Sequence, residues 1–341
     1  MKRPETVAII GMSKNAGKTT VLNSLIRQLS RRKRLGVLSI GVDGEERDAW
    51  SGREKPAIRC DEGMLVASAA SCFNLYPGSF EMIGSCGFQS AMGEILLGKA
   101  RRGSRIKLAG IPGAGQVQAA IRKLKGAGAE LVLVDGAYDR KSLSSPLISD
   151  AVILVVGACL HRSLPQVVKK AAELLAILRL PAAPSADRFF HEQAQTEKKV
   201  IGVVQGMGEP LPFSTLLEWK EKREAFSSKN WEVLIIPGSL TDRMLRMLME
   251  EGVKARLIVP DATHCFFTHS MLRRFLQWGG AVEVVYPTRL LGVAVNPVSP
   301  DGYAFPPSEM KERIAAVAAP LPVFDVVRDP LLEGGWEDVL R

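Results

Sequence analysis

The chain has 341 residues, of which 46% are hydrophobic, 6% aromatic and 24% charged, with a net charge of +9. That balance excludes a disordered chain, and the length suits two domains of ordinary size. Five scattered cysteines with no CxxC pair fit free thiols in a reducing cytoplasm better than a disulfide framework or a zinc site.

The N-terminal half alternates strand and helix signals. Thr6 to Gly11 reads as a buried strand. The stretch from Lys18 to about Arg31 places Val21, Leu22, Leu25, Ile26 and Leu29 at helical spacing. Leu35 to Val42 is a second strand and Met64 to Ala67 a short third. Glu94 to Lys99 and Arg105 to Ala109 are expected as antiparallel edge strands. Gly115 to Lys125 reads as a helix stopped by Gly126 and Gly128. Glu130 to Asp135 and Ala151 to Val156 are apolar strands, and Gln166 to Leu178 is a helix. This alternation predicts an α/β fold, a mostly parallel sheet with helices on both faces.

Leu180 to Lys199 has two prolines near its start and little periodicity, so it reads as a linker. The alternation then resumes. Strands are expected at Val200 to Val204, Val233 to Ile236, Arg256 to Pro260, Val282 to Val285 and Leu290 to Val295. Helices are expected at Asp242 to Glu251, with Thr241 as N-cap, at His269 to Trp278 and at Ser308 to Val317. The expected division is a first domain over 1–180, a linker over 181–199 and a second, smaller α/β domain over 200–341. No run approaches the ~20 apolar residues of a membrane span. The N-terminus is an apolar strand running into a glycine loop rather than a signal peptide.

The strongest motif is GMSKNAGKTT, Gly11 to Thr20, set between a predicted strand and a predicted helix. A glycine turn lets backbone N–H groups approach phosphate oxygens, and the helix adds its positive dipole end. Gly11, Ser13, Lys14, Asn15, Ala16, Gly17, Lys18, Thr19 and Thr20 therefore form the candidate nucleotide cradle. Lys18 is expected on the β and γ phosphates and Thr19 on Mg²⁺. Asp135, ending the strand LVLVDG, is the candidate second acid for the metal. Asp43 in GVDGEERDAW follows the second strand; the resemblance of the glycine loop to P-loop proteins implies a place for such an acid near Mg²⁺ or the attacking nucleophile, with Glu45 and Glu46 as further candidates behind Asp43. Arg140 and Lys141, in the loop 137–145, are candidates for phosphate or substrate contact. No guanine-specifying NKxD follows a strand in this half, which favours ATP.

Five residues, Met12 to Ala16, separate the first glycine from Gly17-Lys18-Thr19, one more than the usual four. In this the loop resembles that of dethiobiotin synthetase and the wider MinD/ParA-like group of P-loop proteins. The signature lysine of some of those relatives falls here on Ser13, with Lys14 one step later. The runs LVLVDGAYDRKSLSSPLISDAVILVVGA and LGVAVNPVSPDGYAF narrow the resemblance. Together with the loop they are similar to the P-loop proteins assigned as a reactivating-factor subunit for cobalamin-dependent lysine 5,6-aminomutase. That resemblance implies a cytoplasmic, ATP- and Mg²⁺-dependent ATPase. It would act on a partner protein, the aminomutase or a second reactivase subunit, and could form a homodimer as MinD-like relatives do. The alternative is an ATP-dependent small-molecule ligase or kinase resembling dethiobiotin synthetase.

The remaining signals are weaker. Asp261, Thr263, His264, Cys265 and His269 cluster after a strand, but their spacing suits a polar loop better than a metal site. The stretch Asn296 to Pro307 is a proline-rich connection at a sheet edge. The basic clusters Arg31 to Arg34 and Arg101 to Lys107 read as solvated ends, with no zinc finger, basic helix or aromatic-interleaved stripe, so nucleic acid is not the expected partner.

Overall fold

Val7 to Ile10 form an uninterrupted apolar run, and the strand that contains them (β1, Thr6–Gly11) is buried at all six positions. A strand buried on both faces is what a parallel sheet covered by helices requires. The computed structural model describes residues 3–41, 57–136, 145–216, 218, 229–329 and 335–340. The chain divides into two units, one made of 1–171 with 289–341 and the other of 172–288.

The first unit continues with α1 (Lys18–Leu29), β2 (Leu35–Ile40), β3 (Ile58–Cys60), β4 (Leu65–Ala69), α2 (Ala70–Asn74), β5 (Phe80–Ser90) and β6 (Gly93–Ala100). Then come β7 (Ser104–Ile106), β8 (Gly110–Ile111), α3 (Ala114–Gly126), β9 (Leu131–Asp135), β10 (Ala151–Gly157) and α4 (Leu164–Leu178), inside which the dividing point falls. Helix α1 buries Val21, Leu22, Leu25, Ile26 and Leu29, the stripe its spacing predicts. The antiparallel pair expected from Glu94 to Ala109 is corrected. Strand β6 is antiparallel to β4 and to the long β5, whereas β7 pairs with β3 in a separate two-stranded sheet. The glycines and polar residues of β5 obscure its alternation in the sequence.

The second unit holds α5 (Asp187–Glu197), β11 (Ile201–Val204), β12 (Met207–Pro210), β13 (Val233–Ile235), β14 (Leu240–Thr241), α6 (Asp242–Glu250), β15 (Arg256–Val259), β16 (Cys265–Phe266), α7 (His269–Trp278) and β17 (Ala281–Val284). Its five-stranded sheet runs β12-β11-β13-β15-β17, parallel from β13 to β17. The segment expected as a linker over 181–199 contains α5. Its buried side chains are Asp187, His191 and Ala194, so a helix with a largely polar inner face escaped a hydrophobic pattern. Asp187 is accommodated by the Arg256 guanidinium at 2.9 Å, which also grips Glu283 at 2.7 Å.

The chain then returns to the first unit as β18 (Leu290–Asn296), α8 (Pro307–Ala318), β19 (Val323–Phe324) and α9 (Gly335–Val339). Strand β18 lies parallel to β10, and β19 lies parallel to β18. A contiguous second domain over 200–341 is therefore not what the chain builds. Pairing partners far apart in sequence leave no local signal, so β18 looked like a continuation of its neighbours in the chain. The large sheet runs β19-β18-β10-β1-β9-β2-β4-β6-β5 and is parallel from β19 to β4, with β8 also on β2. At the far end, Trp336 of α9 donates its indole N–H to Ser24 of α1 at 3.3 Å and meets the Phe324 ring edge-on at 4.6 Å.

Candidate functional site

Four neighbouring parallel strands end at one edge of the large sheet. Their last residues are Gly11 of β1, Asp135 of β9, Gly157 of β10 and Asn296 of β18. Register fixes this: Asp135 is paired with Ile9, Gly11 with Val155, and Gly157 with Asn296. Ligands of open α/β sheets bind outside these carboxyl ends.

The connection from β1 to α1 crosses that edge. Met12 N–H donates to the Val155 carbonyl at 3.0 Å, anchoring its start. Asn15 and Gly17 both take left-handed backbone conformations, with φ of 59° and 109°, and turn the chain into the helix. Gly17 is the N-cap and brings no side chain to the helix end, and the first turn of α1 holds no acidic residue. Val21 N–H bonds the Gly17 carbonyl, so the amides that precede it in the first turn point outward from the ladder.

Lys18 folds back over the start of the loop. A Cβ built on Gly11 would lie 3.0 Å from its Cγ and 3.1 Å from its Nζ. The ammonium is thus held above the first glycine. The outer wall is equally tight. A Cβ on Gly157 would fall 2.7 Å from the Ala16 Cα, and one on Gly17 would fall 3.3 Å from the Asn296 amide nitrogen. Glycine at 157 is therefore a packing requirement against the loop backbone, and glycine at 17 is required by the turn.

Cys159 sits against the loop from the other side. Its sulfur is 2.9 Å from the Ser13 hydroxyl and 3.2 Å from the Lys14 carbonyl. Burial pushes the Cys159 thiol above its ordinary range, and the Ser13 hydrogen bond and the Lys18 charge oppose that rise in part. Because the thiolate is the reactive form, Cys159 should alkylate with iodoacetamide more slowly at pH 7.5 than an exposed cysteine. The rate should climb as pH rises. Mass spectrometry of the labelled peptide measures it, and labelling as fast as that of free cysteine would contradict the packing around the thiol.

The segment Asn296 to Phe305 packs beside the loop. The Asn296 side-chain Oδ1 accepts Val298 N–H at 3.2 Å, and Val298 bridges to Ala304. Tyr303 donates its hydroxyl to the Ala158 carbonyl at 2.8 Å, with the Arg162 guanidinium 5.8 Å from its ring centre. Gly157 and Cys159 carry no site signal in the sequence, and Asn296 only opens a proline-rich loop at a sheet edge that could shape a ligand or partner surface.

Of the predicted site residues, Gly11 to Thr20 and Asp135 are brought to one edge. Asp43, Glu45, Glu46, Arg140 and Lys141 lie outside the described residues. In the second unit, Asp261 is fully buried and accepts Thr263 N–H at 2.8 Å, with His264 Nδ1 at 3.2 Å. Among the described residues no three His, Cys, Asp or Glu side chains are grouped to hold a metal ion. No helix among them is long and apolar enough to cross a membrane. No known protein family matches the chain, and no curated protein matches it.

Proposed function

We propose that the first unit is a P-loop domain that binds ATP with Mg²⁺ and hydrolyses it to change the state of a partner protein. The observation that carries this reading is Lys18, folded back over Gly11 at the start of α1, on the sheet edge where Asp135 ends the neighbouring strand. A triphosphate needs backbone N–H groups, a helix N-terminus and a cation in one concave turn, and the segment Gly11 to Thr19 offers all three. The absence of an acid in the first turn of α1 suits an anion there.

In this reading Lys18 neutralises charge on the β and γ phosphates, and the amides of Asn15 to Thr19 hold their oxygens. Thr19 and Asp135 would hold Mg²⁺, directly or through water, and the ion would draw off charge developing on the transferred phosphoryl group. The partner that fits the resemblance noted above is a cobalamin-dependent aminomutase or a second subunit of its reactivating factor. The second unit supplies a smaller α/β body for that contact.

A second reading, an ATP-dependent ligase or kinase, is favoured by one feature. The segment Asn296 to Phe305 walls the glycine loop, as a small-molecule pocket would need. An ATPase assay separates the two. Hydrolysis that rises on adding purified aminomutase and falls with Asp135→Asn supports the first. Phosphate release that depends on a small carboxylate or amine and ignores the mutase replaces it with the second.

A further inference from the structure

The net charge belongs to one unit. Residues 172–288 carry fourteen Lys and Arg against fourteen Asp and Glu, so the whole +9 resides in 1–171 and 289–341. Within that unit the fold joins two basic stretches that are distant in sequence. Helix α1 is tied to β3: Asn23 accepts Arg59 N–H at 2.9 Å and donates to the Ala57 carbonyl at 3.3 Å. The Ser30 hydroxyl, where α1 ends, donates to Asp61. Arg27 lies one turn beyond Asn23 on that side of the helix, and Arg31 follows the helix end; both are exposed.

Strand β3 in turn is antiparallel to β7, with Arg59 directly opposite Arg105 and both exposed. Arg101 and Arg102, also exposed, occupy the connection that leads into β7. The segments 23–34, 57–62 and 99–107 hold eleven Lys and Arg and two acids, Asp61 and Glu62. Asp61 is engaged by the Arg59 Nε at 2.6 Å. Cations near a helix C-terminus are favourable in themselves, which accounts for Arg27 and Arg31. It does not account for two arginines placed opposite each other across a ladder, where like charges repel and Asp61 offsets only Arg59.

We propose that this face binds the phosphate backbone of a nucleic acid, without base readout. Arginine presents a planar fork matched to phosphate oxygens. No large apolar side chain in these three segments is exposed, whereas a protein partner would bring apolar anchors to the centre of its interface. Arg27 and Arg31 lie at the end of α1 away from the glycine loop, whereas Arg59 is tied to Asn23 midway along the helix. The basic clusters that look like separate solvated ends in the sequence thus become one surface.

The test is fluorescence anisotropy of a fluorescein-labelled, mixed-sequence DNA duplex of roughly 30 base pairs with the full chain, in 50 to 200 mM KCl. The expected result is binding at low salt that weakens about a thousandfold across that range, as six phosphate contacts would give. The triple variant Arg59→Glu/Arg101→Glu/Arg105→Glu should lose at least about tenfold in affinity at 50 mM while circular dichroism and ATP binding stay unchanged. The milder Arg101→Ser/Arg102→Ser pair, in a connection that bears no ladder, should show a smaller loss in the same direction. Absence of binding at 50 mM, or variants that bind as the wild type does, would overturn the proposal. So would displacement of the duplex by polyglutamate at lower charge concentration than unlabelled duplex, which would make the face a dock for acidic protein.

Discussion

Replacing Lys18 by alanine is expected to weaken ATP binding by at least about tenfold, a loss on the order of 1.5–3 kcal/mol for one charge-assisted contact. The size follows from where the ammonium sits. It lies folded over Gly11, beside a helix terminus with no acidic residue in its first turn, so a phosphate there would meet the cation and the loop amides together. The fold should survive, because Lys18 is partly exposed and the core face of α1 is carried by Val21, Leu22, Leu25, Ile26 and Leu29. Isothermal titration with Mg·ATP measures the change. An unchanged affinity would remove the phosphate site from the glycine loop, and with it the functional reading built there. Lys14, exposed on the same loop, should matter less if it touches only the rim of the ligand.

The largest stability effect is expected in the second unit, at Phe275. Its ring is fully buried on α7 and lies so close to Gly280 that a Cβ there would be 2.3 Å from two ring carbons. Helix α7 ends at Gly279, whose φ of 106° turns the chain toward β17, and Gly280 follows under the ring. Phe275→Ala would empty this space and cost ~3–5 kcal/mol, since the backbone around a helix end relaxes little into the void. Gly280→Ala attacks the same contact from the opposite side by overpacking. Scanning calorimetry should show the transition shifted down in both variants. A loss below about 1 kcal/mol for Phe275→Ala would mean the ring is not packed as described.

How much of this was readable from the residues depends on the range of the force involved. The loop was legible because strand, glycine turn, lysine and helix are consecutive, so its geometry is local. Burial of β1, β9 and β10 was legible because apolar runs announce strands covered on both faces. Helix α5 was not, because Asp187 and His191 take the inward positions that apolar residues usually fill. The return of β18 to the first sheet was not, because Ile153 recognises Gly292 through backbone hydrogen bonds that carry no residue code. Asn296 reaches the candidate site only through that pairing. The arginine face was hidden for the same reason: Arg59 and Arg105 are neighbours only across the β3–β7 ladder.

The return of β18 also sets an order of assembly on the ribosome. β1, β2, β9 and β10 are synthesised early, but the strand that covers the outer side of β10 is made only after the whole of 172–288. Until then a buried-type strand, Ala151–Gly157, presents an open edge to the translation environment. Asn296, which closes against Gly17, emerges later still. A truncated product ending before residue 289 would therefore carry an intact glycine loop on an unfinished sheet, a species inclined to associate through that edge.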